Sequence, residues 1–423
     1  MDNLLKFINL KHHTIFFLII FYGLSIAIFL KEINLLFLPN NDLIIIYLYR
    51  LIIIIFSIYL FLHLRKKINI SIIILIFINL IFLFNTIFVD GLNFKINGIE
   101  FFKNLNTHYD YRDIFFLSKA KILLINLFNV ILPLIVLSSI DFKNFDLKYF
   151  KTASLKICNF FLIFLFFFLT YKLFYVHLFL TDDKNIERIL INIHSLLYIL
   201  NIHFLLIVDK IFFEKKVNKL DYARIACIFI CLLITKSYIF ILISFFTFSA
   251  YVFLFIKNKK FNILIILIAL VSSIFLTFFQ YLFYKLNLIL YIKEPGTILN
   301  SIYIRIENIN YYLFYSENIN LITGNNIFSD QAATYPHNFF IDTLICSGII
   351  GVFALVYLFY LIFKNIKILQ SNKLFFLLLF FQSLIFSIFS GFLFTNIIFN
   401  ISLAILLCFI GEKDENIVKN SLG

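Results

Sequence analysis

The chain has 423 residues, 62% hydrophobic and 14% charged, with a mean hydropathy of +1.00, against roughly 45 to 50% apolar and about 25% charged in a soluble domain. A soluble globular protein is excluded. The net charge of +13 is spread over short Lys and Arg clusters between apolar runs, the pattern of membrane loops and not of a nucleic-acid surface.

Apolar runs of roughly 20 residues suffice to cross a ~30 Å hydrocarbon core, and lipid leaves their backbone no choice but the helix. They predict spans at 15–30, 43–62, 68–88, 122–140, 157–178, 189–208, 221–235, 238–256, 262–283, 339–362, 374–390 and 395–411. The fold class is all-α, a polytopic helical bundle, and the absence of alternating ten-residue segments argues against a barrel. The first run carries the charge pattern of a signal peptide, with Lys6 and Lys11, but no small-x-small cleavage site follows it, so it is expected to be a retained helix. The seventh run is short, and Lys236-Ser237 predicts a tight hairpin. Cys158, Cys227, Cys231, Cys346 and Cys408 all lie within apolar runs and are expected as small buried side chains.

Basic residues alternate between loops. One set of connections holds Arg65, Lys66 and Lys67, then Lys143, Lys148, Lys151 and Lys156, then Lys210, Lys215, Lys216, Lys219 and Arg224, then Lys257, Lys259 and Lys260, and finally Lys364, Lys367 and Lys373. The opposite short loops hold little beyond Lys31, Lys184 and Arg188. Both termini are therefore expected in the cytoplasm, with long loops at 89–121 and 284–338 outside. The chain divides into a nine-helix region, 1–283, a long outer loop, 284–338, and a three-helix region, 339–423.

A loop of about 55 residues between membrane helices is commonly functional or contains structure of its own. Ile298, Ile302, Ile306, Ile309 and Leu313 recur at helical spacing and leave Arg305, Asn308 and Tyr312 on another face. An amphipathic surface helix is predicted. Its arginine either serves a shared cavity or is simply solvated.

The stretch Tyr335-Pro336-His337-Asn338-Phe339-Phe340-Ile341-Asp342, continuing through Ser347-Gly348-Ile349-Ile350-Gly351, carries most of the chemical signal. Pro336 biases Tyr335 toward extended backbone, Asn338 is a favoured N-cap, and the tenth span begins after it. That helix start, with its unpaired N–H groups, suits an anionic ligand. Gly348 and Gly351 are expected to admit a neighbouring helix.

This stretch, together with Arg305 and Gly324-Asn325 in the loop ahead of it, resembles the O-antigen ligase and O-antigen polymerase family of bacterial envelope glycosyltransferases. The family shows a Pro-His-Asn start to a membrane helix, a G-x-x-G pair within it, a long periplasmic loop before it, and about twelve membrane helices. The resemblance implies transfer of a glycan from an undecaprenyl diphosphate carrier to an acceptor hydroxyl, on lipid A core for a ligase or on a second lipid-linked glycan for a polymerase. It implies the bacterial cytoplasmic membrane, with the site on the periplasmic side. By the family's pattern His337 matches the essential histidine and Arg305 the loop arginine, while Lys236 falls where an arginine usually sits; the residues alone also allow a His337 that caps the helix without chemistry and a Lys236 that is an interfacial lysine of the hairpin. Asn338 joins the diphosphate-binding set with Arg305 and Lys236. The family's acidic residue just before the glycine pair is replaced here by Cys346 and Ser347.

The residue types suit that chemistry. Negative charge develops on the leaving diphosphate, which fixed cations stabilise in the transition state, and a histidine is the natural base for the acceptor proton at neutral pH. Direct displacement with one base inverts the anomeric centre, and the scheme calls for no metal or cofactor. Arg50 within the second span either snorkels or reaches the lipid diphosphate. Lys172, His177, His194 and His203 are expected as interfacial or bundle-facing polar groups. Asp182-Asp183 is expected to be a solvated turn. Two other classes remain: a polyprenyl-phosphate glycosyltransferase using Glu32 or Asp42, and a lipid-linked sugar flippase, which would carry internal repeats that this sequence does not display.

Overall fold

The computed structural model describes residues 14–15, 17–23, 26, 49–55, 69–96, 98, 100–101, 119–140, 142, 145–179, 194–214, 218–234, 238–255, 305–328, 336, 338–389, 393–394 and 396–421, and these are mostly helical. In chain order we name α1 (Ile70–Phe88), β1 (Asn93–Phe94), α2 (Lys119–Asn126), α3 (Leu132–Ser139), α4 (Leu147–Phe179), α5 (His194–Glu214), α6 (Lys219–Ile234), α7 (Tyr238–Phe255), β2 (Ser316–Glu317), α8 (Phe339–Lys364), α9 (Ile366–Phe389) and α10 (Ile397–Ser421). Among the described residues three stretches are long and apolar enough to cross a membrane: Ile70–Phe88, Leu147–Thr170 and Phe339–Lys364. Shorter apolar helices at Leu123–Ser138, Phe240–Tyr251, Leu374–Ile388 and Ile397–Gly411 fall within four more predicted spans. The predicted ninth span, 262–283, lies outside the described residues.

Local chemistry explains where helices start. Asp146 accepts the backbone N–H of Tyr149 at 2.9 Å, so α4 begins ten residues ahead of the predicted span at 157. Hydropathy marks the apolar stretch, whereas the cap sets the helix. Asn69 caps α1 through Ser71 N at 2.9 Å and donates to the Leu407 carbonyl at 2.8 Å. Between α2 and α3 runs a π turn, Leu127–Ile131, followed at once by Pro133. Proline has no N–H for the Asn129 carbonyl and crowds it, and the wider turn relieves that.

The described residues fall into two units. The first holds residues 14–55 and 140–255. Its aromatic core groups Phe17 with Phe142, Phe145 and Phe150. Lys151 at the start of α4 pairs at 2.5 Å with Asp209 near the end of α5, which also accepts the Tyr251 hydroxyl of α7 at 2.7 Å. Lys210 and Arg224 both pair at 2.7 Å with the fully buried Asp221 at the start of α6. Because starts of α4 and α6 meet ends of α5 and α7, the four helices alternate in direction.

The second unit holds 69–139 and 305–421. The start of α1 meets the middle of α10 through Asn69 and Leu407, while Asn79, farther along α1, is linked through Asn126 to Phe394 just ahead of α10, and α3 and α10 lie side by side where Cys408 reaches the Leu137 carbonyl. Asn85 near the end of α1 meets Cys346 in α8. So α1 runs opposite to α8 and α10. β1 and β2 pair antiparallel, Asn93 opposite Glu317 and Phe94 opposite Ser316, which defines what we call the ribbon end of this unit.

Candidate functional site

Buried polar side chains of the second unit gather at the ribbon end. They come from the middle and end of α1 (Asn79, then Asn85 and Thr86), from α2 and its π turn (Asn126, Asn129), from the start of α8 (Asn338, Asp342, Thr343, Ser347) and from the start of α10 (Asn400, Ser402). Within an apolar bundle, such groups are retained against a desolvation cost and concentrate where a protein works.

The loop segment 305–328 is clamped onto this end at three levels. Its ribbon pairs with residues 92–95, where Leu92 N donates to the Asn326 carbonyl at 3.0 Å and Lys95 N to the Tyr315 carbonyl at 2.9 Å. Asn326 Nδ2 donates to the Val89 carbonyl at 3.1 Å. Asn85 donates at 2.8 Å to the carbonyls of both Thr323 and Cys346, tying loop to helix. Finally the loop enters a break in α8. Asn325 N donates to the Ile345 carbonyl at 2.7 Å, and Ile349 N to the Leu321 carbonyl at 2.8 Å.

That break corrects the expectation for the glycine pair. Gly348 does not seat a neighbouring helix. Its φ of 64° and ψ of −169° interrupt α8, in a region nearly restricted to glycine. A Cβ there would overlap the Ile322 carbonyl and stand 2.7 Å from Gly324 N. Gly324, at φ 87°, answers it: its Cβ would stand 2.5 Å from the Cys346 carbonyl carbon and 2.6 Å from Ser347 N. The two backbones interlock because neither residue has a side chain. Gly351 is crowded by Ser347 and Thr343 of its own helix.

The predicted surface helix is present from 305 to 310 and continues into a π turn, Tyr311–Tyr315, whose Tyr312 carbonyl accepts the Ser316 hydroxyl. Asn308 and Tyr312 are buried against the protein, as are Glu307, Ile309 and Tyr311, while Leu313 and Phe314 are exposed. The helix is thus held by Asn308 and Tyr312 together with Ile309 and Tyr311, and only its Leu313–Phe314 end faces outward. Burial raises the Glu307 carboxyl to about 7, with the Asn310 side chain pulling it back slightly. Burial also raises the Tyr312 phenol, and Cys346, Tyr311 and Asp342 add to the effect, which seats the loop helix against α8.

Of the predicted site residues, Arg305 opens the loop helix and is half-buried. Asn338 caps α8, accepting Phe340 N at 3.1 Å and Ile341 N at 3.3 Å through Oδ1, so its Nδ2 is the atom left for a ligand. Both belong to the second unit. Arg50, half-buried in a helical stretch at 49–55, belongs to the first. His337 and Lys236 lie outside the described residues. Asp342, Asn85, Asn126 and Asn400 join the predicted residues at this end, and the one signal of them in the sequence is a polar residue inside an apolar run. Comparison with known family models, curated proteins and solved structures finds no match for this chain.

Proposed function

We propose that the chain is a membrane glycosyltransferase that moves a glycan from undecaprenyl diphosphate to an acceptor hydroxyl, as an O-antigen ligase acting on lipid A core at the periplasmic face of the bacterial cytoplasmic membrane. The observation that supports this reading most is the clamp. It fixes the helix bearing Arg305 to the same end of the same unit as the start of α8, through Asn85, the ribbon and the glycine interlock. A guanidinium and a helix start with its positive dipole end are the two features a leaving diphosphate needs.

In this scheme Arg305 stabilises the diphosphate, Asn338 Nδ2 and Lys236 add donors, and His337 takes the acceptor proton while the acceptor oxygen displaces the diphosphate with inversion. Two measurements test it. Purified protein with a lipid diphosphate donor is expected to lose about 10² to 10⁴ in turnover on His337→Ala, the usual worth of a positioned base, and nearly as much on His337→Gln. Near wild-type turnover in the Gln variant removes His337 from the scheme. In a deletion strain, carrier-linked polymer that fails to reach the lipid A core marks a ligase, a core bearing a single repeat marks a polymerase, and carrier-linked units trapped on the cytoplasmic side refute transferase activity in favour of a flippase.

A further inference from the structure

We propose that Asp342 is a binding site for a small monovalent cation, a hydron or an alkali ion, held at the ribbon end beside the amide oxygens of Asn126 and Asn400.

Asp342 is 0% exposed, and neither carboxylate oxygen makes a well-formed hydrogen bond among the described residues, although the backbone N–H groups of Leu393 and Asn338 approach it. It stands one turn into α8, a helix apolar enough to cross a membrane, where an uncompensated carboxylate is among the costliest groups a protein can bury. The titratable groups that face it are Tyr312 from the loop helix and Cys346 from α8 itself. Neither brings positive charge. From the turn between α9 and α10 it faces the backbone amide of Leu393, and from the start of its own helix that of Asn338; both are neutral donors, and no Lys, Arg or His pairs with it among the described residues.

The same turn gathers two further orphan acceptors. Asn400 Nδ2 donates to the Leu393 and Asn396 carbonyls, each at 2.9 Å. Asn126 Nδ2 donates to the Phe394 carbonyl at 2.7 Å and to Asn79 Oδ1 at 2.9 Å. These bonds fix both amides with nitrogen toward carbonyls, and both Oδ1 atoms are left fully buried without a partner. Around Leu393–Phe394 the unfilled groups are thus all oxygens, two of them on one carboxylate. A water molecule would fill two acceptors and leave the charge standing. A cation satisfies the oxygens and the charge together.

A carbodiimide tests this on the full-length protein purified in detergent, because it adds to a buried carboxyl that carries a hydron and leaves a stable adduct on that side chain. In choline chloride buffer, from about pH 5 to about pH 8, mass spectrometry is expected to find the adduct on the wild-type peptide containing Asp342 and not in Asp342→Asn. A fall in labelling of about tenfold at NaCl or KCl roughly ten times the dissociation constant identifies an alkali ion. Labelling that ignores salt and declines only with rising pH identifies the hydron. No adduct at Asp342 across that range overturns the proposal, and since the wild-type protein decides it, a poorly folding variant does not obscure the result. Asn400→Ala is expected to move the salt or pH midpoint of labelling, and an unchanged midpoint removes Asn400 from the site. The readout is independent of transferase activity.

Discussion

Gly348→Ala should be among the most damaging single-methyl changes in the chain. The residue sits at φ 64° and ψ −169°, which costs an L-residue on the order of 1 to 3 kcal/mol. The added Cβ would also overlap the Ile322 carbonyl, so the loop must lift. Lifting it releases the bonds from Asn325 N to Ile345 and from Ile349 N to Leu321, at 2.7 and 2.8 Å, each worth about 1 kcal/mol net. The expected loss is therefore about 3 to 5 kcal/mol. Thermal unfolding of the detergent-purified variant measures the total, and hydrogen exchange at Ile349 and Asn325 reports the undocking directly. Unfolding within about a degree of wild type, where about 1 kcal/mol should already cost a few degrees, with exchange at those two amides unchanged, would refute the interlock.

Asn85→Ala strips two bonds of 2.8 Å and leaves two carbonyls unanswered, for an expected loss of about 2 to 3 kcal/mol and faster proteolysis of the 305–328 segment. Glu307 has its folded pKa raised from 4.5 to about 7 by burial, so the folded state holds the proton more tightly. Stability should fall as pH rises from about 4.5 to about 7 and level off above, by at most about 3 kcal/mol, and Glu307→Gln should flatten that slope in unfolding midpoints taken across the range. In a donor-turnover assay Arg305→Ala should cost more than Arg305→Lys, since an ammonium keeps the charge but loses the two-pronged grip on phosphate oxygens, and equal rates for Ala and wild type would return Arg305 to a solvated role.

The helices were legible because period and length are statistical properties of many residues. The Asn338 cap was legible because a short polar side chain ahead of an apolar run has few other uses, and the structure gives it two backbone N–H groups to accept. The interlock was not. Gly348 reads as one more small residue in an apolar helix until Gly324, distant in sequence, supplies the backbone that needs its space. Asp342 escaped notice for a related reason: a carboxylate near a helix start has an ordinary explanation in the dipole, and only its burial and its unfilled oxygens set it apart. The loop helix fell between these cases, its spacing and inward-facing Asn308 and Tyr312 visible but the burial of Ile309 beside them not.

Lys151, Lys210 and Arg224 have two electrical lives. While the nascent chain is being threaded into the bilayer each is a bare cation, counted with its loop by whatever reads loop charge. Once the first unit folds, Lys151 is half of a pair with Asp209, while Lys210 and Arg224 share the single carboxylate of Asp221, so two of the three charges are offset and their joint field at the headgroups is that of about one cation. Much of the orienting signal of these three residues is therefore spent in folding, and through them the mature protein should recruit anionic lipid less than three bare cations would.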